Sequence, residues 1–187
     1  YCTSPMCSPA RASILSGRLP SSHGLVANQY AKLGAKGLHL AEDVKLLADY
    51  LGPAGYHTAY IGKWHLGTGS DRRGFRDRVI RYSESEGDTS RPEDNDYARY
   101  AEKQGIDVVG KRQGSEPDPE LYDTWTICGP SRVPLAHFVS TYLGSEAETY
   151  IRSRAGADSP FLLTWSCIEP HAPFVCPEPF FSMYDPA

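Results

Sequence analysis

"GYHTAYIGKWHLG", residues 55–67, is the stretch around which the rest of the chain is organised. Residues 56–62 are rich in aromatic and β-branched side chains, which suit a pleated strand. Lys63 and His65 follow, two positions apart, so an extended backbone would send both to one face. Ligands bind at the carboxyl ends of strands in parallel α/β sheets. A lysine there can clamp an anion's oxygens, and a histidine can move a proton near neutral pH. The pair also fits a plainer role, a solvent-exposed lysine beside a histidine packed in a turn.

Working outward, "LAEDVKLLADYLGPAG" (40–55) places Leu40, Val44, Leu47, Ala48 and Leu51 on one helical stripe, with Gly52 and Pro53 to stop it. "PFLLTWS" (160–166) is a continuous apolar run, as expected of a strand buried on both faces. Before it, residues 140–154 predict a helix with Tyr142, Leu143, Ala147, Tyr150 and Ile151 as apolar positions. Near the start, Ser8 suits an N-cap and Pro9 a first helical position, giving a helix over 10–16 that Gly17 closes. Alternating helices and strands predict an α/β layered sheet with parallel strands. Between Ser70 and about Ser131 the pattern dissolves into charge, Gly and Pro, with a short helix expected near 95–104. There are no internal repeats.

A formal net charge of −4 over 187 residues gives no electrostatic footprint for nucleic acid or an anionic membrane. No apolar run approaches the ~20 residues that span a bilayer. The five cysteines (Cys2, Cys7, Cys128, Cys167, Cys176) follow no redox, zinc or disulfide-scaffold spacing, and the odd count leaves at least one outside intrachain disulfides. The chain opens on "YCTSPMC" and stops at "FFSMYDPA", so it is expected to be an internal fragment of a larger protein.

Two further segments can carry chemistry. "CSPARASILSGR" (7–18) sets Cys7 at a helix entrance, where partial positive charge and free N–H groups favour an anion, with Arg11 one turn inside. A buried structural cysteine is the alternative. In "EPHAPF" (169–174), Pro170 and Pro173 bracket His171 and stiffen its backbone just past the second strand. His23, His39, His57 and His137 lack such a setting and are expected to be structural or solvent-facing. Together the helix entrance, Arg11, Lys63, His65 and His171 describe one anion pocket suited to sulfuryl or phosphoryl transfer.

"CSPAR" followed by "SGR" resembles the first signature of the type I sulfatases, and "GYHTAYIGKWHLG" resembles their second, in the family's order. "PHAPFVCPEPFFSMYDP" is similar to the family's downstream histidine segment. The resemblance implies an alkaline-phosphatase-like fold, a mixed, largely parallel sheet flanked by helices. It makes residues 1–187 part of the N-terminal catalytic domain, with an irregular insertion at about 70–137. It further implies that Cys7 is oxidised to formylglycine by a formylglycine-generating enzyme that reads Ser8, Pro9 and Arg11. As the hydrated aldehyde, residue 7 would attack sulfur with one hydroxyl and expel sulfate with the other, and it would also ligate calcium. Arg11 would hold the diol, Lys63 contact the sulfate, His65 orient the diol and take its proton, and His171 bind sulfate and assist the leaving group. The remaining calcium ligands would lie outside these residues. The expected substrate is a small-molecule or carbohydrate sulfate ester, and family habit suggests a secreted, periplasmic or lysosomal setting. Competing readings are a phosphonate or phosphate monoester hydrolase of the same superfamily, and a catalytically silent binding relative.

Overall fold

In chain order the elements are α1 (Cys7–Ser16), α2 (Pro20–His23), α3 (Leu47–Leu51), β1 (His57–Lys63), β2 (Arg78–Tyr82), α4 (Asp96–Lys103), β3 (Cys128–Pro130), a 3-10 turn (Leu135–His137), α5 (Val139–Arg154), β4 (Phe161–Ser166) and β5 (Phe174–Cys176). They come from a computed structural model that describes residues 2–28, 39–67, 73–82, 95–106, 128–171 and 174–185. Strands β2, β1 and β4 form a parallel sheet in that order, and β3 pairs with β5, also in parallel.

Central strand β1 is covered on both faces, as its near-complete burial requires. Alternate residues serve opposite layers. Ala59 and Ile61 join Val139, Leu143, Ala147 and Tyr150 of α5 on one side. Tyr60 joins Ala12 and Leu15 of α1, with Leu40, Val44 and Ala48, on the other. Helix, sheet and helix thus make three layers, the alkaline-phosphatase-like arrangement expected. Among the described residues no helix is long and apolar enough to cross a membrane.

Four local expectations need correction. The helix predicted across 40–51 is helical only from Leu47 to Leu51. Arg73 explains the loss: its guanidinium donates to the carbonyls of Leu40, Ala41 and Val44 at 2.7–2.9 Å, using acceptors that an α-helix would direct to its own amides. The Asp49 carboxylate then accepts from the Leu46 N–H at 2.8 Å and starts the short helix there.

Helix α1 begins at Cys7, with Met6 before it and no side-chain cap. The fully buried Ser8 hydroxyl has no hydrogen-bond partner among the described residues, so it does not cap. The Ser8 N–H donates instead to Asn28 Oδ1 at 2.8 Å, a partner supplied from twenty residues away. Gly17 closes the helix at φ 68°, as expected.

Strand β2 lies inside the stretch expected to be irregular. "RVIRY" carries arginine at both flanks of a short apolar core, which hides it from a composition-based reading. Helix α4 falls where a helix was expected, while residues 83–94 and 107–127 lie outside the described residues.

Strand β4 forms where predicted but is not buried on both faces. Phe161 is 40% and Trp165 53% exposed, because among the described residues β4 pairs with β1 alone and stands at the edge of its sheet.

Candidate active site

Parallel pairing aligns the carboxyl ends of β1 and β4, with Gly62 opposite Ser166. Only glycine fits there: its φ is +119°, and a Cβ would come 2.0 Å from the Ser166 carbonyl oxygen. That close backbone approach sets Lys63 and Ser166 side by side at one edge of the sheet.

Helix α1 packs against this edge. Cys7 and Arg11 are one turn apart on it and therefore share a face. Arg11 Nη1 donates to the Lys63 carbonyl at 2.9 Å and also to the Ser166 hydroxyl. The Tyr60 hydroxyl donates to the same Lys63 carbonyl. Tyr60 is buried and meets Trp64 and Phe75 edge-on, with ring centroids 5.0 and 5.2 Å away. Burial pushes the Tyr60 phenol up, while the nearby Arg11 charge opposes the shift. The phenol therefore stays protonated and remains a donor.

The structure brings the Arg11 side chain into direct contact with the Lys63 backbone. Lys63 itself is only 4% exposed, so it is not the solvent-facing lysine of the plainer reading. His65 departs from the geometry expected of it. The strand ends at Lys63, and His65 has φ +57°, so the two-residue alternation of an extended strand does not reach it. His171 lies in the turn after β4, its N–H bonded to the Ile168 carbonyl at 3.0 Å. Cys7, Arg11 and His171 are all half-buried. Pro173, one of the two prolines expected to stiffen His171, lies outside the described residues.

Three contributors escaped sequence reasoning: Asn28, Tyr60 and Ser166. Each acts through a contact far along the chain or through one hydroxyl in an apolar strand. The one available signal was a tyrosine between Ala59 and Ile61, where an aliphatic residue would serve packing alone. The other histidines behave as expected. Buried His23 bonds Ser13 and the Leu25 N–H, His137 bonds Tyr100, and His57 pairs with Asp77. Cys167 follows Ser166 directly, and burial pushes its thiol up, with the neighbouring Ser140 hydroxyl opposing, so it is not an activated nucleophile.

Among the described residues no three His, Cys, Asp or Glu side chains gather as a metal site. These residues alone therefore do not make up the calcium site that the resemblance implies.

A parallel sheet covered on both faces by helices defines an α/β protein, the class in which ligands bind at the carboxyl ends of the strands. The chain belongs to the sulfatase family, whose match extends over residues 1–185. It is 30% identical over 190 residues to the uncharacterized sulfatase YidJ of Escherichia coli (strain K12), covering 98% of this chain and 33% of that protein. It is 26% identical over 193 residues to the N-acetylgalactosamine-6-sulfatase of Canis lupus familiaris, covering 96% of this chain and 33% of that one. The chain thus spans about a third of the length of these relatives. Among solved structures, the phosphonate monoester hydrolase SpPMH from Silicibacter pomeroyi shares the fold with a TM-score of 0.70 at 22% identity, over 100% of this chain and 36% of that one.

Proposed function

We propose that the intact protein is a sulfuric ester hydrolase whose reacting group is Cys7, converted after synthesis to formylglycine by a formylglycine-generating enzyme. The observation that carries this reading is the position of Cys7 in the first turn of α1, one turn before an Arg11 held by the ends of β1 and β4. As its hydrate, the aldehyde would supply two hydroxyls on one carbon, one to attack sulfur and one to expel sulfate.

The chain's own groups do the rest. The first N–H groups of α1 and the Arg11 guanidinium offset negative charge at residue 7. Lys63 clamps the sulfate oxygens and stabilises charge that grows in the transition state. His65 takes the proton from residue 7, and His171 binds the sulfate and protonates the departing alcohol oxygen. Calcium, if bound by the intact protein, would draw its other ligands from outside the described residues.

The substrate class we favour is a sulfated sugar, because the relatives of this chain include an N-acetylgalactosamine-6-sulfatase. A second reading is phosphonate or phosphate monoester hydrolysis, since a phosphonate monoester hydrolase shares the fold and tetrahedral sulfur and phosphorus present similar oxygens. The test is the full-length protein co-expressed with the modifying enzyme. Its residue-7 peptide should carry the mass of an aldehyde, and it should release sulfate from an aryl sulfate and from 6-sulfated N-acetylgalactosamine. Faster turnover of a matched phenylphosphonate would favour the second reading. A thiol at residue 7 in a fully active preparation would sink the formylglycine assignment.

A further inference from the structure

The Arg11 guanidinium is held at one corner. Both protons of Nη1 are spent, one on the Lys63 carbonyl at 2.9 Å and the other on the Ser166 hydroxyl. A guanidinium is planar, so fixing one corner at two points sets its plane and the directions of its other three donors. Tyr60 works from beneath. Its hydroxyl occupies the second lone pair of the Lys63 carbonyl, so the Lys63–Trp64 peptide is gripped from both sides just before the left-handed His65. Tyr60 is 1% exposed between Trp64 and Phe75, and the Ser166 backbone lies in close approach to Gly62.

We propose that Tyr60 and Ser166 are positioning residues, which hold Arg11 and the Lys63–His65 segment in the single arrangement that acts on residue 7. This rests on the hydrolase reading above. Both supports are neutral. They orient Arg11 without cancelling its charge, as a carboxylate in the same place would.

The experiment uses the full-length protein with residue 7 matured and an aryl sulfate as probe. Cys7→Ala comes first: turnover that survives it sinks the hydrolase reading and this proposal with it. With turnover dependent on Cys7, Ser166→Ala and Tyr60→Phe should each lower kcat about tenfold and leave KM within about twofold, as loss of a hydrogen bond tied to a charged group predicts. Ser166→Thr, which keeps the hydroxyl, should recover kcat to within about threefold of the parent. On an Arg11→Ala background, Ser166→Ala should cost under about twofold more, because its partner is already gone. Unchanged kcat in both single variants overturns the proposal. So does a full tenfold loss retained without Arg11. If Ser166→Ala does not fold, Tyr60→Phe decides, since Phe keeps the buried ring: a loss of kcat near tenfold with KM held supports the proposal, and an unchanged kcat overturns it.

Discussion

Strand β1 carries a polar cluster with a histidine at or beside each end, and the two ends answer charge differently. At the amino end His57 Nδ1 lies 2.7 Å from Asp77 Oδ2, and the Tyr150 hydroxyl donates to the same oxygen at 3.2 Å. At the carboxyl end the described partners of Arg11 are a carbonyl and a hydroxyl. The Asp77 carboxylate brings negative charge of its own to the amino end. A cation held by neutral dipoles, such as Arg11, keeps a net charge to offer an incoming anion. The amino-end carboxylate also acts on its other neighbour: burial first, then Asp77, pushes the Tyr150 phenol up to about 12. The first cluster is closed on itself, and under the proposed function the second is the end open to a ligand.

The largest expected effect tests the open end directly. Cys7→Ser in the full-length protein should abolish multiple turnover, because a serine sulfate ester has no second hydroxyl to expel the product. Mass spectrometry should then find one sulfate retained on the residue-7 peptide. Normal turnover by this variant would remove residue 7 from the chemistry.

Next come the two ends compared side by side. Lys63→Met and His65→Ala should each reduce kcat by about 100- to 1000-fold while the protein stays folded, the scale seen when a donor to developing charge is lost. Asp77→Asn, at the other end, should leave kcat within about twofold. It should lower stability by only about 0.2–1 kcal/mol, because the His57 pair is partly exposed. Equal loss of kcat at both ends would break the comparison.

Gly62→Ala sharpens it through the backbone. The new Cβ meets the Ser166 carbonyl, and alanine must adopt φ +119°. A loss of about 2–4 kcal/mol in denaturant unfolding is expected from combined strain and overpacking. Gly17→Ala, where φ is +68° and nothing lies within 4 Å, should cost less, about 1 kcal/mol. Equal losses at the two positions would mean that the β1–β4 approach is not tight.

The smallest effect concerns a third kind of histidine. Burial lowers the pKa of His23 from 6.5, and its Nδ1 accepts from the Leu25 N–H at 3.2 Å, a bond that protonation would break. The unfolded chain therefore binds the proton more readily than the folded one. This contribution is fully present above pH 6.5 and is lost as pH falls through the lower, folded value. His23→Gln should flatten the stability–pH slope just below pH 6.5. An unchanged slope would assign acid sensitivity there to other groups.

Much of the architecture was legible because it is written in local pattern. The strand patterns at 56–62 and 160–166 correctly marked β1 and β4, although β4 stands at the edge of the sheet, and Leu143, Ala147 and Tyr150 face that sheet from α5. The pattern failed where a distant residue took over local hydrogen bonds. Arg73 draws off the carbonyls of 40–44 and shortens a helix that the apolar stripe predicted.

At the site, sequence by itself marked Cys7, Arg11, Lys63, His65 and His171, since side chains of that chemistry at helix starts and strand ends are informative wherever they occur. Which groups hold them was decided by the tertiary structure. Ser166 and Tyr60 are ordinary members of apolar strands until parallel register sets Gly62 against Ser166 and brings α1 across both. Asn28 is an ordinary loop residue until the fold lays it on the first turn of α1. The contacts of Asn28 and Ser166 with α1 span 20 and 155 residues of chain, and the Lys63 carbonyl that Tyr60 holds meets Arg11 across 52. Local periodicity carries no record of contacts at that range, because they form only when the layers close.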